Sequence, residues 1–174
     1  MKKYFVLALA LALAVLLWGC AEGPQAETEN ETMPEDFAFS IVWNTYGISS
    51  YDSATGRLVK TADATNPDDY VTTLELSEKD MEEIWHIIDS LGMGNYPEEY
   101  DPFEGASSIP SQTIILSTVK DGAQKEIRCE DIAVASESTT KKGRAFLTAV
   151  RDIINIIEST DEWQSLPDYE FLYD

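Results

Sequence analysis

The strongest constraint on this chain is a switch of hydrophobic period, from two to 3.6 and back again. From Phe37 the residues alternate, with Phe37, Phe39, Ile41 and Trp43 on one side and Ala38, Ser40, Val42 and Asn44 on the other. That is the pattern of a strand with one buried face. The strand is expected to continue or bend through Tyr46, Gly47 and Ile48 into a hairpin that turns at residues 52–56, where Asp52 and Gly56 suit a type I turn closed by a left-handed glycine. A return strand over about 57–61, a loop over 62–69 and a third strand over about 70–76 follow.

Ser77 then opens a helix. Its hydroxyl is placed to cap, Asp80 stands three residues on, and Leu76 and Met81 flank the cap as an apolar staple. Met81, Ile84, Trp85, Ile88 and Leu91 recur at helical spacing, and Gly92 ends the run. After a long connection over residues 96–110 comes a second hairpin, with strands at about 112–119 and 124–129 around Lys120, Asp121 and Gly122. A second helix over about 141–159 puts Phe146, Val150, Ile153, Ile154 and Ile157 on one face and Arg151, Asp152, Asn155 and Glu158 on the other. Each helix is apolar on one side only and needs a surface to cover. The order βββαββα predicts an α+β fold, an antiparallel sheet of about five strands with two helices packed on one face.

Ahead of this domain, Lys2 and Lys3 precede an apolar run from Tyr4 to Trp18, which is shorter than the roughly twenty residues a helix needs to span a bilayer. A charged start, a short apolar stretch and a small residue before the cut describe a secretory signal peptide. The segment Leu17-Trp18-Gly19-Cys20 resembles the lipobox of a bacterial lipoprotein, with Trp18 departing from the small or aliphatic residue usual there. The resemblance implies removal of residues 1–19, a diacylglyceryl group on Cys20, and export to the bacterial envelope, with the domain outside the cytoplasm on the extracellular face or in the periplasm. Two acyl chains hold a protein at a membrane stably where one holds it marginally.

Residues 20–36 are acidic and lack apolar periodicity, so they are expected to form a disordered tether between the lipidated cysteine and a single domain over 37–174. The formal net charge is −20, and loss of Lys2 and Lys3 with the leader makes the mature chain more acidic still. Such a surface repels nucleic acid and anionic headgroups. With Cys20 acylated, Cys129 is the one remaining thiol, which leaves no intramolecular disulfide and makes core packing responsible for stability. Cys129 falls on the apolar parity of its strand and reads as a small buried hydrophobe.

Residues with chemical potential are few. His86, the one histidine, lies nearly opposite the apolar centre of its helix and should face solvent; one histidine and one thiol cannot assemble a zinc site of the usual kinds. Ser138-Thr139-Thr140-Lys141 matches the Ser-x-x-Lys nucleophile pattern of penicillin-binding proteins and β-lactamases. Ser117-Thr118-Val119-Lys120 matches it equally, the supporting motifs are missing, and helix capping explains the hydroxyls at 138–140. Asp63, Asn66, Asp68 and Asp69 gather oxygens of the type calcium takes, in a spacing that fits no EF-hand; solvated turn residues are the plainer reading. The 96–110 connection exceeds the usual loop length, and Tyr96, Tyr100 and Phe103 suit contact with a protein or polysaccharide, unless they serve to cover the sheet edge.

Together these features predict a non-enzymatic, lipid-anchored envelope protein that presents one acidic α+β domain for binding, with no cofactor implied. Two other readings are a small envelope hydrolase and a structural accessory subunit that docks by its aromatic C-terminus, Trp163, Tyr169, Phe171 and Tyr173.

Overall fold

A computed structural model describes residues 32–134, 138 and 140–168. Cys20 and the leader lie outside the described residues, as do Thr139, Tyr169, Phe171 and Tyr173. The strands are β1 (Ala38–Trp43), β2 (Ser49–Asp52), β3 (Arg57–Val59), β4 (Val71–Thr73), β5 (Gln112–Lys120) and β6 (Ala123–Ile132); the helices are α1 (Glu78–Leu91), α2 (Lys141–Glu158) and the short α3 (Asp161–Ser165). All strand pairs are antiparallel, in one sheet of order β4-β3-β2-β1-β5-β6. The chain steps outward from β1 to β4, crosses back through α1, and lays β5 against the other side of β1.

The sheet has six strands where about five are expected. Asn44 (φ 73°), Tyr46 (φ 54°) and Gly47 (φ 68°) all adopt left-handed backbone, and this reverses the chain so that β2 becomes a separate partner of β1 with Trp43 opposite Ser49. Alternation of side chains cannot reveal such a reversal, because two of the three residues that perform it are not glycine.

The local signals of α1 are realised. The Ser77 hydroxyl accepts the Asp80 N–H and Gly92 closes the helix in left-handed backbone; Leu76 and Met81 pack against the core. At α2 the cap is Thr140, whose hydroxyl accepts the Gly143 N–H at 2.9 Å. Phe39, Ile41 and Trp43 of β1 join Ile84, Trp85 and Ile88 of α1 and Phe146, Val150 and Ile153 of α2 in one buried cluster. Alternate β1 residues Ala38, Ser40 and Val42 are only half-buried. The core therefore lies between one face of the sheet and the helices. Every buried side-chain nitrogen and oxygen among the described residues has a hydrogen-bond partner.

One boundary moves. Residues 33–36, expected in the tether, belong to the folded unit: Met33 packs on the core, and the Asp36 carboxylate accepts the N–H groups of Asp121 (2.9 Å) and Gly122 (2.7 Å) at the β5–β6 turn. Those two donors hold the carboxyl below its ordinary range. At the other end, Trp163 of α3 stacks on Trp43 with ring centroids 5.5 Å apart, and Lys60 bonds the Leu166 carbonyl (3.1 Å) and the Asp168 carboxylate (2.8 Å). The chain is thus fastened back to the sheet as far as Asp168.

Candidate functional site

The long connection is aromatic, and it is closed. Tyr96 is buried and Tyr100 and Phe103 are half-buried. Tyr96, Tyr100 and Phe146 form a triangle with centroids 5.1 to 5.7 Å apart. The Tyr96 hydroxyl donates to the Lys142 carbonyl at 3.2 Å, while the Lys142 ammonium covers the Tyr96 ring at 4.6 Å and bonds the Asn95 carbonyl at 2.6 Å. Burial raises the pKa of both tyrosines. On its other side the connection runs beside β6, taking the Arg128 N–H on the Glu98 carbonyl and giving the Tyr100 N–H to the Arg128 carbonyl. This satisfies part of an edge that would otherwise offer bare donors and acceptors. The three aromatic residues singled out in the sequence are turned inward as packing; the large hydrophobic residue that the connection exposes is Ile109, 96% exposed, among acidic and small residues.

Ser138 is buried and its hydroxyl donates to the Pro102 carbonyl. This anchors the connection to the start of α2 and gives the Ser-x-x-Lys pattern a packing role. Gly143 is required beside it, since a Cβ there would overlap the Ser138 hydroxyl and stand 2.7 Å from the Pro102 carbonyl oxygen. Cys129 is fully buried and burial pushes its thiol up to about 12, far from the depressed range of a reactive cysteine. Asp63, Asn66, Asp68 and Asp69 are separately exposed, and among the described residues no three histidine, cysteine, aspartate or glutamate side chains stand together as a metal site. The spacing that gathered the four in sequence is undone by the 3-10 turn Pro67–Tyr70, which fans consecutive side chains around its axis. His86 is exposed, on a shallow groove between α1 and α2 that it shares with Glu82, Glu83 and Asp152.

The concave feature with a built floor lies elsewhere. Between the C-terminal end of α1 and the β5–β6 hairpin is a cleft of about 470 Å³, within the size range of small-ligand sites. Phe37, Trp85, Ile88 and Met93 floor it, each 2 to 8% exposed. Phe37 and Trp85 meet edge to face at 5.1 Å, and the buried Thr118 hydroxyl donates to the Met93 sulfur at 3.6 Å. The rim is charged: Lys120, Lys125, Asp89 and Asp121. The Lys120 ammonium stands 4.4 Å from the Trp85 ring centroid and 3.5 Å from the Asp89 carboxylate. Gly94 also lines the cleft, and a Cβ built on it meets nothing within 4 Å.

Sequence reasoning passed over this cleft because its floor is assembled from residue 37, two turns of α1, a 3-10 turn and β5. One signal was available. Trp85 and Ile88 lie on the apolar face of a helix that Gly92 stops, and Lys120 immediately precedes the Asp121-Gly122 hairpin turn.

No protein-family model matches this chain, and no curated protein matches it in sequence. The functional reading rests on the geometry above and on the N-terminal motif.

Proposed function

We propose that this chain is a lipid-anchored, non-enzymatic protein of the bacterial envelope, held at the membrane by a diacylglyceryl group on Cys20, whose domain binds a small apolar ligand in the α1/β5–β6 cleft. The observation that carries the reading is the cleft itself: a buried floor of Phe37, Trp85, Ile88 and Met93 under a polar rim, on elements fixed by the main core. Concave, apolar sites with a few placed polar groups are where proteins bind small molecules. Asp36 supports the arrangement, since its carboxylate holds the Asp121 and Gly122 N–H groups of the hairpin turn next to the cleft. Among the described residues no helix is long and apolar enough to cross a membrane.

Two variants test the two halves. Cys20→Ser should move the protein from the membrane to the soluble fraction; a variant that stays membrane-bound and cleaved removes the lipoprotein reading. For the cleft, Gly94→Leu adds a side chain to the lining at a position where a Cβ meets nothing within 4 Å. Compounds that bind the native chain by calorimetry should lose that binding in Gly94→Leu, while its unfolding midpoint stays put. Ligands that bind both forms equally would place the site elsewhere.

A further inference from the structure

We propose that the end of the sheet opposite the β5–β6 turn docks a protein whose surface offers an apolar recess rimmed by lysine or arginine, with Ile109 as the side chain that enters it. Among the described residues four large hydrophobic side chains stand exposed, and three of them, Tyr46 (49%), Ile109 (96%) and Val134 (51%), belong to this end. Hydrogen bonds join their segments. The Ser111 carbonyl accepts the Tyr46 N–H at 3.1 Å, and the Ser108 hydroxyl accepts the Val134 N–H and donates to the Pro110 carbonyl, both at 2.8 Å. Ile109 is thus held out by backbone tied on either side, so little ordering entropy is lost when a partner covers it. Apolar side chains scattered singly over a surface mean little, whereas a cluster rimmed by polar groups marks an interaction surface.

Charge selects the kind of partner. Over residues 44–47, 104–113 and 130–134 the charged side chains are Glu104, Glu130 and Asp131, and none is basic. Arg128, two residues back along β6, is shared by Glu99, Glu126 and Glu130, which leaves that group acidic as well. Cations around an apolar recess complement both halves of this surface. An anionic membrane is repelled by it, and so is a second copy of a chain of net charge −20. Self-pairing fails on area too, because three side chains cover a few hundred Å², against the roughly 800 Å² per partner of a standard interface. The chain itself leaves this end open. Its N-terminal segment joins the domain at Asp36 on the β5–β6 turn, beyond the nine residues of β5, or about 30 Å away.

The test keeps the full chain in its own membranes. Ile109→p-benzoylphenylalanine, and Ala123→p-benzoylphenylalanine as the exposed control at the hairpin end, are irradiated, and the adducts are digested and read by mass spectrometry. The probe at 109 should join a protein at an apolar residue flanked by lysine or arginine, and the probe at 123 should leave that protein unjoined. Adding Val134→Ser to the chain probed at 109 should cut the yield roughly fivefold, the loss of part of one buried valine. Raising the salt from about 0.1 to 1 M, which shortens the screening length from about 10 to 3 Å, should lower it as well. No adduct at 109, an adduct with phospholipid alone, an adduct of two copies of this chain, or equal joining from 109 and 123 would each overturn the proposal. A joined peptide without basic residues, or a yield indifferent to Val134→Ser, would do the same. None of these outcomes bears on the cleft.

Discussion

Among the described residues Lys60, Lys120 and Lys142 lie over aromatic rings, and the difference between the surroundings of the last two separates structure from site. Lys142 covers Tyr96 at the long connection, and Lys120 covers Trp85 at the hairpin cleft. Beneath Lys142, itself exposed, the packing is closed: its ammonium reaches a backbone carbonyl at 2.6 Å, Ser138 is bound to Pro102, and Tyr96 and Tyr100 pack on Phe146. Around Lys120 one partner is a half-exposed carboxylate at 3.5 Å, and a cleft of about 470 Å³ is lined by the ring. Aromatic content alone therefore does not locate a site. What locates it is an apolar floor that lines a cleft under a polar rim.

The widest separation between the two regions should come from glycine. Gly143→Ala forces a methyl group against Ser138 and Pro102, and overpacking of this kind costs about 3 kcal/mol. Gly94→Ala, in open space at the cleft, should stay within about 0.5 kcal/mol of the native chain. Urea unfolding of the two variants measures both, and equal midpoints would erase the distinction between a closed and an open region.

The lysines themselves come next. Lys142→Met loses a charge-assisted bond to Asn95 and the cover of Tyr96, an effect of about 1 kcal/mol at a partly exposed site. Lys120→Met should cost less than about 0.5 kcal/mol, since an exposed ion pair contributes little and the methionine stem still covers Trp85. A larger loss at Lys120 than at Lys142 would reverse the ranking.

Titration gives a smaller effect of fixed sign. Burial raises the pKa of Tyr96 and Tyr100 above 10.0, so each holds its proton more tightly folded than unfolded. Their contribution to stability is complete below pH 10.0 and declines as pH rises through the folded values. Tyr51, pushed up to about 12 by burial, adds in the same direction. Denaturation midpoints should fall between pH 10 and 12, and replacing Tyr100 with Phe should flatten part of that fall. A slope unchanged by Tyr100→Phe would put the tyrosine in a more open setting.

Legibility in the sequence followed the range of the interaction. Ser77, Gly92 and Asp121-Gly122 act on their own neighbours, and α1 and the second hairpin were readable from them. Cys129 and the odd residues of β1 were readable because parity within a strand is local. The reversal at Asn44 and Tyr46 is not, since Asn only tolerates positive φ and Tyr rarely adopts it, so alternation runs β1 on into β2. The end of the tether was misplaced because Asp36 is held by donors 85 and 86 residues away. Tyr96 and Tyr100 were noticed for the right composition, but their direction was set by Phe146 and Lys142 on a helix that forms later in the chain. The cleft failed to show for the same reason: its floor is a product of the fold.

The central claim is that ligand meets the hairpin cleft and not the long connection. Amide hydrogen exchange of the full chain with and without saturating 4-phenylbutanol, an uncharged probe with an apolar body, tests it most directly. The account predicts new protection at residues 89–94 and 119–125, with residues 96–110 unchanged. Protection confined to 96–110 would contradict it.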